Sequence, residues 1–383
     1  MIGLTLSRRQ FARTVGAGLG AVVAHKIVGS EAEARLPAGL PDKMIQLNAN
    51  ENPNGPSPRA LEAMTRSQKT AARYPDASES RVREALAKLH GVAPENVVLG
   101  CGSSEILRIA DMAFLGQGKN VVAAEPTFEA VLAYARVTRA EPVKVPLTPD
   151  YRHDLEAMAR ACNAQTGLVY ICNPNNPTGT IVTREELGSF LERAPKSAFI
   201  LVDEAYYHFA EHPRYASAFE WVRSPWQFPN LVVVRTFSKV YGMAGMRLGY
   251  AVSTKENIDA MREHVIWNNT NAAVLEATLA SLADADHIPR HRKLNNDTRR
   301  WLCGELKNEG RRYIPSETNF VMIDVGGDVQ PVVEEFQKRA ILVGRKFPSL
   351  ANWLRVSIGT RKEMEIFLAE LRAIVPVQAA KAA

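Results

Sequence analysis

The feature that most constrains this chain is a design used four times, in which a short apolar run stops abruptly in a polar or glycine-rich loop. Val97-Val98-Leu99 leads into Gly100-Cys101-Gly102-Ser103-Ser104-Glu105, and Leu168-Val169-Tyr170-Ile171 leads into Asn173-Pro174-Asn175-Asn176-Pro177-Thr178-Gly179. Phe199-Ile200-Leu201-Val202 ends at Asp203-Glu204-Ala205-Tyr206, and Leu231-Val232-Val233-Val234 precedes Thr236-Phe237-Ser238-Lys239. Strands that are apolar on both faces belong in a buried, mostly parallel sheet with helices on both sides. Such sheets bind ligands beyond the carboxyl ends of their strands, so all four loops are expected around one crevice.

The rest of the 383 residues organises around that sheet. Arg35 to Pro58 carries five prolines and the run Asn48-Ala49-Asn50-Glu51-Asn52, and reads as an extended arm rather than a helix or strand. Between Ser78 and His90, Val82, Leu86 and Leu89 fall at helical spacing, and Gly91 stops the helix. After about residue 275 an Ala- and Leu-rich helical stretch leads through Arg290 to Glu309. Asn319 to Ile323, Ile341 to Val343 and Trp353 to Ser357 follow as strands, then an amphipathic helix from Lys362 to Ile374. This order predicts a smaller α/β domain packed over the crevice. The expected division is an export segment (1–34), an arm contributing to the small domain (35–70), a large domain (71–275) and a C-terminal small domain (276–383).

The first 34 residues are set apart by composition. Ser7-Arg8-Arg9-Gln10-Phe11 opens a short, soft apolar stretch that ends in Ala32-Glu33-Ala34, a small-x-small cleavage pattern. The paired arginines resemble a twin-arginine signal, so a periplasmic or otherwise exported protein is expected, and a cytoplasmic one if the signal is unused. The stretch is too short and too rich in glycine for stable membrane insertion. The net charge of +6 is modest, and no basic run is interleaved with aromatics, so no nucleic-acid partner is expected. Cys101, Cys162, Cys172 and Cys303 form no CxxC pair and no metal-ligand spacing, so no metal site is expected.

The loops carry a recognisable set of chemical groups. Gly102-Ser103-Ser104, between a strand and a helix, offers backbone N–H groups and hydroxyls to a phosphate. Ser238 and Arg247 add a hydroxyl and a fixed cation. Asp203 follows four apolar residues, should be buried, and needs a positive partner. Asn176 and Tyr206 offer hydrogen bonds to an anionic oxygen, and partial desolvation would lower the pKa of Lys239 enough for it to act as nucleophile and base. A phosphate cradle, a buried carboxylate, an Asn and Tyr pair and an activated lysine are what pyridoxal 5'-phosphate (PLP) requires.

Asn173 to Gly179, Val202-Asp-Glu-Ala-Tyr206 and Thr236-Phe-Ser-Lys-Val-Tyr-Gly-Met-Ala-Gly-Met-Arg-Leu-Gly249 together resemble the class I/II aminotransferases, most of all the histidinol-phosphate aminotransferase branch. Asn50-Glu-Asn-Pro53, Arg73-Tyr-Pro-Asp76 and Leu354-Arg355-Val-Ser-Ile-Gly359 extend the likeness over residues 44 to 374. The resemblance implies the PLP-dependent fold-type I and a homodimer. It also implies transfer of an amino group between an amino acid and a 2-oxo acid, with a decarboxylase, lyase or oxidase as alternatives on the same scaffold. By the same resemblance, Lys239 holds PLP as a Schiff base and shuttles the proton, Asp203 pairs with the ring nitrogen, and Asn176 and Tyr206 meet the ring oxygen. Gly102, Ser103, Ser104, Thr236, Ser238 and Arg247 surround the phosphate, Phe128 stacks on the ring, and Tyr74 reaches across from the second subunit. Arg355 grips the substrate anion, with Asn176 and Asn54 beside it. The chain departs from the family at Asn54, where an aromatic is common, and at Gly344, where a second arginine is common and Arg345 comes one residue late. Histidinol phosphate is therefore the alternative substrate, and a free, bulky amino acid the preferred one.

Overall fold

The computed structural model describes residues 44–222 and 226–376. The expected export segment lies outside them, as do residues 35–43 of the arm. The arm is not wholly irregular: β1 (Ile45–Leu47) is a short strand, and α1 (Pro58–Ser67) starts where Ser57 accepts from the Ala60 N–H with proline at the first helical position. A second helix, α2 (Asp76–His90), carries Asp76 and Glu79 in its first turn, Lys88 and His90 in its last, and Gly91 as its cap. Val82 and Leu86 of α2 are buried as expected, but Leu89 is exposed and Ala87 takes its place.

The large sheet is built from β2 (Val97–Gly100), β3 (Asn120–Glu125), β4 (Glu141–Pro146), β5 (Thr166–Cys172), β6 (Phe199–Asp203), β7 (Leu231–Thr236) and β8 (Gly249–Val252). Their spatial order is β2-β8-β7-β6-β5-β3-β4. Only β8 runs against the rest, pairing antiparallel with both β2 and β7. Alternate side chains of each strand enter opposite cores. Leu99, Val169, Ile171, Val202 and Val233 face one side, under α1, α2, α5 (Leu155–Ala161) and α6 (Arg184–Arg193). Val98, Tyr170, Leu201, Val232 and Val234 face the other, under α3 (Ser103–Phe114), α4 (Ala130–Val137) and α7 (Lys255–Arg262). This two-sided burial explains why the runs contain so few polar residues.

The Ala- and Leu-rich stretch divides into α8 (Ala272–Leu282) and α9 (His287–Asn308). Val274, Leu275 and Ala277 of α8 share the first core with Ala60 of α1. The C-terminal layer has its own core, made by Leu302 and Leu306 of α9 with β10 (Phe320–Asp324), α10 (Val329–Lys338), β11 (Ile341–Val343), β12 (Trp353–Ser357) and α11 (Arg361–Ile374). β10 sits between β12 and the two-residue β9 (Tyr313–Ile314), while β11 pairs in parallel with β1. The arm is thus stitched into the C-terminal layer. Among the described residues no helix is long and apolar enough to cross a membrane.

Candidate active site

Because β2, β3, β5, β6 and β7 all run the same way, their carboxyl ends share one edge. Asp203 ends β6 and is 2% exposed. It accepts from the Tyr170 hydroxyl on the neighbouring strand (3.0 Å) and from the Ala205 N–H (3.0 Å). Burial raises its pKa to about 6, against the opposing pull of those two hydrogen bonds. No cation contacts this carboxylate among the described residues; Lys239 acts on it only at a distance. Among the described residues nothing supplies the positive partner it needs.

Lys239 follows β7. Its Nζ donates to the carbonyls of Asn50 (3.1 Å) and Ala49 (3.3 Å) in the arm. Burial, with the positive charge of Arg355 second, lowers its pKa to about 8. Tyr206 is buried and its hydroxyl accepts from Asn50 Nδ2 (3.1 Å). Asn176 Oδ1 accepts from Arg355 Nη1 (2.7 Å), and Arg355 Nη2 donates to Asn48 O (2.8 Å), while Arg355 Nε is buried without a partner.

On the β2 side, α3 starts at Ser103 with Gly102 as N-cap and no side-chain capping bond, so the positive end of the helix is left open. Gly102 has φ +81, and a Cβ there would overlap the Arg247 guanidinium. Arg247 Nη1 reaches Ser238 Oγ (3.4 Å), and Thr236 Oγ1 donates to Ser238 Oγ (2.9 Å). Thr236, Ser238 and Arg247 are therefore gathered against Gly102, where Ser103 and Ser104 open α3. Phe128 is half-buried after β3, against the second core.

Two of the anticipated residues stand apart. Asn54 is exposed, and both its backbone and side-chain amides turn back to Asn52 Oδ1 (3.0 and 3.3 Å). Tyr74 is 79% exposed and touches none of these groups within the chain. Sequence reasoning missed Asn50 and Tyr170 as site residues. Asn50 is buried with φ 53, a left-handed conformation that asparagine tolerates, which was a usable signal inside an Asn-rich run. Tyr170 is the one polar side chain in the run Leu168–Ile171, and its hydroxyl had to find a partner.

A lysine of lowered pKa, a buried carboxylate lacking a cation and an open helix end at one sheet edge define an α/β enzyme that handles a phosphorylated, cationic group. The class I and II aminotransferase model matches residues 42–371, and the chain belongs to that family. It is 37% identical over 345 residues to a histidinol-phosphate aminotransferase of Moorella thermoacetica, covering 90% of this chain and 88% of that one. It is 38% identical over 337 residues to the protein of that name in Symbiobacterium thermophilum, covering 88% and 91%. Among solved structures, histidinol-phosphate aminotransferase from Sinorhizobium meliloti in complex with pyridoxal-5'-phosphate superposes with a TM-score of 0.81. It is 26% identical and covers 91% of this chain and 97% of that one.

Proposed function

We propose that the crevice binds PLP with Lys239 as its covalent anchor, and that the enzyme exchanges an amino group between an amino acid and a 2-oxo acid. The buried Asp203 carries this reading: a carboxylate desolvated without a cation is a seat for a protonated ring nitrogen. The other groups fit the same molecule. The open end of α3, the Thr236 and Ser238 hydroxyls and Arg247 suit a phosphate; Tyr206 and Asn176 suit a ring oxygen; Phe128 suits a ring face. When bound, the cofactor supplies an electrophilic carbon for the amine and a cationic ring that delocalises the electron pair left at the substrate's α carbon.

The chain's own residues divide the remaining work. Asp203 holds the ring proton by its negative charge. Lys239 Nζ, whose pKa burial lowers to about 8, would be the base that takes and returns the proton of the substrate's α carbon. Arg355 binds the substrate carboxylate, with Asn176 accepting from its Nη1 and fixing its plane. The half-reaction tests this: aromatic amino acids should discharge the visible absorbance of the lysine-bound cofactor and a 2-oxo acid should restore it. Loss of carbon dioxide, or no restoration, would point to another reaction. Histidinol phosphate, named for the relatives, is the second donor to try.

Exposed Tyr74 supports a homodimer in which it reaches the neighbouring site, and sedimentation at the mass of one chain would refute this. Ser7 to Phe11 and Ala32 to Ala34 support export, which a reporter fused to residues 1–34 would test, with Arg8 and Arg9 both changed to Lys as the control.

A further inference from the structure

The substrate end of the crevice holds two arginines in different states. Arg355 comes from β12 and is half-buried; its Nη atoms donate to the neutral oxygens of Asn176 and Asn48, and it meets no carboxylate among the described residues. Arg345 follows β11 and is already engaged: Nη2 meets Glu129 Oε2 at 2.7 Å, and Nη1 donates to Lys346 O. Both guanidiniums lie against the Phe347 ring, with Arg345 at 4.5 Å and Arg355 at 5.2 Å from its centroid. Gly344 explains why the second cation comes from 345. The Gly344 N–H donates to Arg355 O, and a Cβ at 344 would stand 2.9 Å from the Arg355 Cβ and 3.3 Å from its Nε. No side chain fits there.

Glu129 lies on the opposite wall, next to Phe128 and just before α4. The Glu129–Arg345 pair therefore spans from the β3–α4 connection to the β11–β12 connection beside Arg355. Arg345 and Glu129 both act on the Arg355 guanidinium, the first opposing its charge and the second supporting it. With the pair formed, Arg345 is neutralised by a carboxylate, whereas Arg355 is held only by the neutral oxygens of Asn176 and Asn48 and keeps its charge for a substrate. A second anionic group on the substrate would have to displace a tethered carboxylate already in contact, which a ligand free in solution does poorly.

We propose that Glu129 is a specificity-determining residue: by occupying Arg345 it leaves Arg355 as the one arginine open to a substrate anion. Amine donors with a single carboxylate and an uncharged side chain are thereby preferred over dicarboxylic ones. This rests on the aminotransferase reading and deepens it to a substrate class. The pair is partly exposed, with side chains 31% and 41% accessible, so it contributes little to stability and its removal leaves the fold intact.

The test uses the cofactor-loaded enzyme and two unreactive ligands, succinate and 3-phenylpropanoate, with affinities read by calorimetry. The wild type should favour 3-phenylpropanoate. Glu129→Gln should tighten succinate about tenfold or more, the scale of one charge-assisted hydrogen bond, and adding Arg345→Gln should abolish that gain. In single turnovers the glutamate-to-phenylalanine selectivity ratio should rise in Glu129→Gln by a similar factor. Equal wild-type affinities, or an unchanged succinate affinity in Glu129→Gln, would overturn the proposal. If succinate tightens but no amino acid is converted, the aminotransferase reading fails instead, and the substrate class falls with it.

Discussion

At the scale of single residues, Asp203 shows how position overrides intrinsic chemistry. Burial outweighs its two hydrogen bonds and raises its pKa to about 6. A raised carboxyl pKa stabilises the protein fully below the ordinary value near 3.8, and that contribution is lost as pH rises through about 6. Binding a cationic ring reverses the preference, because the ionised form is then the paired one. The affinity of cofactor-free protein for PLP should accordingly rise with pH between about 4 and 6, and Asp203→Asn should weaken binding and flatten that dependence. Fluorescence titration across the range checks both, and a flat wild-type profile would count against the assignment. Asp203 and Lys239 were legible in the sequence because each ends an apolar run. Asn50 was not, because its role depends on an arm returning over 150 residues of chain to Tyr206.

At the scale of elements, what was readable was whatever carried a strong pattern. The four apolar runs are β2, β5, β6 and β7. β3, β4 and β8 carry no such pattern: β3 is diluted with alanine, β4 is an edge strand with two prolines, and β8 is a four-residue antiparallel insertion. The proposed phosphate cradle rests on the start of α3. Gly102→Ala would place a methyl group in the Arg247 guanidinium at a backbone angle costing about 1–3 kcal/mol for a non-glycine residue. It should weaken PLP binding at least tenfold while leaving far-ultraviolet dichroism unchanged; full affinity would show that the cradle lies elsewhere. Thr360 and Glu363, which hydrogen-bond to none of the cofactor groups, cap α11 reciprocally. Thr360→Ala should cost about 1 kcal/mol in urea unfolding with no change in cofactor affinity.

At the scale of the whole molecule, the site is assembled by two layers that meet through the arm. Asn48 and Asn50 bind Arg355 and Tyr206, Asn319 Nδ2 donates to Asn50 O, and β1 pairs with β11. Such a join was out of reach of local patterns, since every contact in it links segments distant in sequence. A ligand that ties into both layers should stabilise them together. PLP at a hundred times its dissociation constant should add about 2.7 kcal/mol to unfolding in a single transition. A gain confined to one of two separate transitions would contradict a site shared between the layers.

Whether Lys239 anchors the cofactor is open to direct measurement. Borohydride reduction of the PLP-loaded protein converts the imine to a stable amine, and peptide mapping by mass spectrometry then locates it. A single modified residue, Lys239, is expected, with no modification in Lys239→Ala. A label on another lysine, or an unlabelled Lys239 in a protein that still absorbs as a lysine-bound cofactor, would contradict it.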